Sequence, residues 1–170
     1  MKRFLLLIIA IVSVGAVNAQ DAKFKAMFMT NFTKLIEWPA SDLNGDFVIC
    51  VVNQNDVLNQ LKTFTTNKSV GTHPISVIGV KTVDEVSKCN IVYLSFSESK
   101  AEKLEALLGK LNGSSTLVLT DRPGALKNGS CINFLLVDDK LKFEINEPAL
   151  SERKLQVSAV LRNQAHQSGN

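Results

Sequence analysis

Cys50, Cys89 and Cys131, the histidines His73 and His166, and the adjacent carboxylates Asp138-Asp139 are the first groups to weigh for chemistry in this 170-residue chain. The histidines stand in a loop and beside the C-terminus. No Cys/His set has metal-ligand spacing. No G-x-S-x-G elbow offers a serine nucleophile, and no G-x-G-x-x-G or Walker loop offers a phosphate cradle. Gly71, Gly79 and Gly109 stand alone. Asp138-Asp139 has the turn preference of a hairpin tip rather than the look of an acid pair. The reading is a non-enzymatic protein with no catalytic residues, no metal and no cofactor.

The cysteines carry more. Cys50 lies inside the apolar run DFVICVV (46–52), and Cys89 stands immediately before NIVYLS (90–95). In a doubly wound sheet two such strands are commonly neighbours. A disulfide between them would close a loop of about 40 residues, worth about 3–4 kcal/mol in the chain-entropy model. The same positions suit two buried thiols that pack as small hydrophobes. Cys131 is left over, as a core thiol or one open to exchange. Compartment bears on this. Met1-Lys2-Arg3, the uncharged run from Phe4 to Val17 and the small residues of Val17-Asn18-Ala19 read as a signal peptide (1–19) cleaved after Ala19. The run is shorter than the roughly 20 residues of a membrane span. The product is expected outside the cytoplasm, periplasmic and disulfide-permissive. Losing Lys2 and Arg3 lowers the formal charge from +3 to +1. Basic and acidic residues are interspersed, which argues against a nucleic-acid partner. The N-x-S/T sequons at Asn31, Asn67, Asn112 and Asn128 matter only in a glycosylating pathway.

These residues need elements to hold them. Phe24, Met27, Phe28, Phe32, Leu35 and Ile36 fall at helical spacing, and Trp38-Pro39 should stop that first helix. Strands are expected at 46–52, 74–80, 90–95 and 115–120, with a hairpin of 131–137 and 141–146. Helices are expected at 55–65 and 97–111, the latter capped by Ser97 and ended by Asn112-Gly113. A brief helical turn falls at 83–87. The stretch from Pro148 to about Ala165 reads as mostly helical, and 167–170 as frayed. Strands alternating with helices imply an α/β three-layer sandwich: a mainly parallel sheet of about six strands, a late antiparallel hairpin, and helices on both faces. Residues 20–166 form one domain. A composition 45% hydrophobic can fill its core.

The runs AMFMTNFTKLIEWP, FVICVV, CNIVYLS, LVLTDRPG, GSCINFLL and LKFEINEPAL…KLQVSAVL occur in this order, and the chain resembles the YfiR family over residues 22 to 165. The resemblance implies a soluble periplasmic repressor that binds the sensor domain of an inner-membrane diguanylate cyclase. It also implies relief by an outer-membrane lipoprotein, control of cyclic-di-GMP and biofilm, and a homodimer. Cys50 and Cys89 match the family's cysteines in its ICV run and before its CDILFI-like strand, which implies a Cys50–Cys89 disulfide. Cys131 has no evident second partner. The alternatives are an accessory protein of a sensor histidine kinase, or a small-ligand binding module using the strand ends at Asn53, Gln54, Asn55 and Ser95. Phe28 and Leu161 are the expected partner contacts. Trp38 and Pro39 are expected to fix the turn into the first strand, and Glu144 and Asn146 the turn into the last helix, with Asn146 as its cap.

Overall fold

The computed structural model describes residues 20–167; the expected leader and its cleavage site lie outside them. Helix α1 covers residues 20–35. Its inward face is Ala22, Ala26, Met29 and Phe32, a spacing of three and four. Three large residues of the expected stripe are rotated partly outward, while Phe32 and Ile36 stay buried. Phe24 and Met27 are 37% and 39% exposed, and Phe28 is half-buried. Two alanines let the helix lie close to the sheet, so its small side dominates the contact. The buried hydroxyls of Thr30 and Thr33 donate to the carbonyls of Ala26 and Thr30, at 2.8 and 2.7 Å.

The helix ends earlier than expected. Ile36–Glu37 (β1) is extended and pairs antiparallel with Gln156–Val157 (β9). Trp38 then turns into the core, edge-on to Phe47 at 4.9 Å. Its indole N–H donates to the Asn90 carbonyl at 3.2 Å, which meets the need of a buried Trp for a polar partner. Pro39 opens a single 3-10 turn at Ala40–Asp42.

The main sheet has seven strands. In chain order they are β2 Phe47–Val52, β3 Ser69–Val70, β4 His73–Val80, β5 Ile91–Leu94, β6 Leu117–Thr120, β7 Ile132–Val137 and β8 Lys140–Ile145. Their spatial order is β3-β4-β2-β5-β6-β7-β8. The five central strands are parallel, and β3 and β8 are antiparallel edges. Strands β5 and β6 are buried at every position, which explains why their runs are apolar without alternation. Helix α2 (Asn55–Thr65) links β2 to β4, and α3 (Ala101–Lys110) links β5 to β6. These crossovers move in opposite directions from the centre, so the right-handed rule puts α2 and α3 on opposite faces. Gly79 admits α2: a Cβ there would meet the Leu58 side chain at 2.5 Å. Register joins Val51, Gly79 and Tyr93 on that same face, and Tyr93 with Phe134 and Phe143 continues it under α1.

Two expected helices differ. Helix α3 starts at Ala101 rather than Ser97. Ser95 O accepts from the amides of Glu98 and Ser99 at 3.0 and 2.9 Å, a tight turn that consumes the Ser97 region first. The C-terminal stretch is two short helices, α4 (Glu147–Glu152) and α5 (Ala159–Gln164), separated by β9. Lys154, with φ 58°, turns the chain out of α4; Leu155 is buried just before β9, and Val157 is buried within it, where it pairs with β1. Asp138 and Asp139, at φ 50° and 57°, form the two-residue turn of the β7–β8 hairpin, whose left-handed backbone suits Asp.

Candidate functional site

Where α1 crosses the C-terminal ends of β5 and β6, three polar side chains meet beneath the helix. Lys25 Nζ lies 2.8 Å from Asp121 Oδ2. The Tyr93 hydroxyl donates to the same oxygen at 2.7 Å. The ammonium also lies 5.9 Å from the Tyr93 ring centroid. Burial, followed by the Asp121 charge and hydrogen bond, pushes the Tyr93 phenol well above its usual range. Asp121 Oδ1, shut off from solvent, accepts no hydrogen bond among the described residues. Next to this group Thr120 Oγ1 donates to Asn133 Oδ1 at 2.8 Å and lies 2.9 Å from Ser130 Oγ, a fully buried polar brace between β6 and β7.

Above the ion pair opens a cavity of about 470 Å³, lined among others by Lys25, Phe96, Asp121, Asn133, Phe134 and Leu136. A second depression of about 630 Å³ runs between α1 and the β7–β8 hairpin, past Phe24, Met27 and Phe28. The two share Asp21, Leu136 and Leu141. Phe96 and Leu136 stand on the rim, 53% and 60% exposed. The Arg122 guanidinium lies 3.9 Å from the Phe96 ring centroid, and its Nε donates to the Phe96 carbonyl at 3.0 Å, which props that ring in place. Chemically this is a place to bind: it combines an acidic floor with an apolar lip.

Residues 22–166 match the family model described as YfiR/HmsC-like. The chain belongs to the YfiR/HmsC-like family. That family is periplasmic and regulatory rather than catalytic. No curated protein matches the chain.

Within this YfiR/HmsC-like fold the expected site residues separate. Leu161 is not a surface contact: it is 1% exposed, held inward by α5, whose Ser158 cap accepts from the Leu161 amide at 3.2 Å. Phe28 is half-buried and wedged between Phe32, Phe134 and Phe143 at 6.3, 6.1 and 5.4 Å. It is a wall of the groove rather than a free knob. Trp38 and Pro39 form the corner already described. Asn146 caps α4: its Oδ1 accepts from the Ala149 amide at 3.2 Å and its Nδ2 donates to Leu126 O at 2.8 Å. Glu144, the ladder partner of Asn133, lines the cavity.

The strand ends named for ligand capture behave differently. Asn53 Nδ2 donates to Ser97 Oγ at 3.4 Å, and Ser95 and Ser97 hydroxyls meet at 3.2 Å, so these polar groups engage one another. Lys25 and Asp121, which line the cavity floor, and Tyr93, which holds Asp121, are not among the site residues expected from the sequence. A signal existed for one of them: Lys25 lies three residues after Ala22 and four before Met29, on the helix side that faces the sheet.

Cys50, Cys89 and Cys131 are all buried, free thiols. No Cys50–Cys89 bond is present, and the ladder partner of Cys50 is Val92. Burial pushes the Cys50 thiol up to about 11. Cys89 rises further, by burial and by the neighbouring Cys50. The thiolate is the species that attacks a disulfide, so both thiols are slow to exchange while folded.

Proposed function

We propose that this chain is exported and holds a membrane-bound signalling enzyme of the diguanylate cyclase type in check by binding its periplasmic part. The family match across residues 22–166 carries this reading. Among the described residues no helix is long and apolar enough to cross a membrane. Repression requires that it bind the inactive state of the enzyme more tightly than the active one; equal affinity shifts nothing. Deleting the gene is expected to raise cellular cyclic-di-GMP, and restoring the exported chain to lower it again. An unchanged level in a strain that normally makes the protein would overturn the reading and leave small-ligand capture or a kinase accessory role.

The proposal includes the cysteines. In an oxidising compartment a Cys50–Cys89 bond would form as the chain folds, before burial silences the thiols, by exchange with a disulfide oxidant that takes up the two electrons and two protons and leaves as a dithiol. Protein taken from the periplasm, denatured without reductant and titrated with a thiol reagent is expected to show only Cys131 reactive. Reduced protein should show all three. Three reactive thiols in both samples would establish Cys50 and Cys89 as core residues only.

A further inference from the structure

Resting on the reading that this chain binds a partner protein, we infer that the acid-floored cavity and its apolar rim seat an arginine side chain flanked by apolar residues of that partner. The location follows from exposure. Among the described residues, Phe24, Met27, Phe96 and Leu136 are four of the five large hydrophobics left exposed. All four border the two joined depressions. Scattered apolar side chains are ordinary; a contiguous set around a cavity marks a contact surface.

The charge of the floor selects the occupant. Asp21, Asp121 and Glu144 line the cavity together with one ammonium, that of Lys25. That ammonium is engaged on Asp121 Oδ2, while Oδ1 has no donor. An acceptor of this kind costs free energy until a donor reaches it. A guanidinium brings five N–H donors in a plane and is less strongly hydrated than an ammonium, so it enters a partly apolar cavity more readily. Its aliphatic stem would lie along Leu136 and Leu141, and apolar neighbours on either side would cover Phe24 and Phe96. Because Oδ1 is closed to water in the free chain, the guanidinium reaches it only when the atoms that cover it move aside. The rim would dock first and the ion pair would form second.

The test titrates the isotopically labelled mature chain with two synthetic peptides, acetyl-Leu-Arg-Leu-Phe-amide and its citrulline counterpart, and follows the amide spectrum. The arginine peptide is expected to shift residues around Phe96, Asp121 and Leu136 and to bind about tenfold tighter than the neutral one, the scale of a desolvated charge pair. Asp121→Asn is expected to remove that discrimination. Leu136→Ser, at an exposed position, should weaken both peptides alike. The native amide dispersion of each variant reports its folding independently. Equal affinity of the two peptides, or shifts confined to another face, would overturn the site. Deletion without effect on cyclic-di-GMP would sink the repressor reading, whatever the peptides do. Peptides that fail to discriminate would sink the docking site, whatever the deletion does.

Discussion

Phe32→Ala is expected to destabilise the fold by about 3–5 kcal/mol, the range for deleting a buried aromatic ring. Phe32 is fully buried. It lies 5.3 Å edge-on from Phe143 and 6.2 Å stacked on Phe134, with Phe28 at 6.3 Å. The ring therefore joins α1 to the hairpin strands β7 and β8. Tyr93 extends the cluster through Phe134 at 6.3 Å. Rigid aromatic neighbours cannot close the gap left by the ring, so the cavity term should be near its full size. In a domain of this length each kcal/mol lowers the melting temperature by roughly 2–4 °C, so a loss of about 6–20 °C is expected. Phe24→Ala, on the same helix but exposed, should cost well under about 1 kcal/mol. Thermal or urea unfolding of the pair measures the contrast. Similar losses for both variants would mean that α1 is not docked through the face described.

Lys25→Met is expected to cost about 3 kcal/mol, because it strands the Asp121 carboxylate under the helix with only the Tyr93 hydroxyl as a partner. The side chains of Lys25 and Asp121 are 12% and 11% exposed, so water can replace the ammonium only in part. Adding Asp121→Asn to Lys25→Met should recover most of the loss, since the pair as a whole contributes little while either half alone is costly. The double-mutant cycle separates this from simple loss of packing. If the second substitution adds to the first, the ion pair is a surface contact in effect and the floor of the cavity is not desolvated. The same measurement bears on binding, because a floor of low polarizability is what would make a guanidinium discriminate.

Both experiments concern the first helix, which has two duties. Its small side, Ala22, Ala26 and Met29, is core, and its large side, Phe24 and Met27, is rim. Phe28 belongs to both: its ring touches the core aromatics and borders the outer groove. A surface substitution at Phe24 or Met27 therefore probes contact, and one at Phe32 probes stability. Leu161 now belongs with Phe32 and not with the rim.

Local patterns in the sequence were enough to determine the six longer strands, the hairpin and the Asn146 cap. DFVICVV and NIVYLS are apolar without alternation, which only strands covered on both faces tolerate. Asp138-Asp139 accepts left-handed backbone where other residues would strain. Asn146 offers a side-chain oxygen to an otherwise unpaired helix amide. Each is a decision made within a few residues. The rotation of α1 was not of this kind. Its periodicity marks a wide apolar stripe, and which edge of that stripe is buried depends on how closely the sheet allows the helix to approach. Nor could local pattern break the C-terminal helix in two, because Gln156–Val157 becomes a strand only when Ile36–Glu37 is beside it. The cavity floor is the clearest case. Lys25 and Asp121 are 96 residues apart in the chain, and each taken alone is an ordinary charged residue on a helix or in a loop. Only the crossing of α1 over the ends of β5 and β6 brings them together and shields them from most of the solvent, and that partial desolvation turns two common side chains into a site.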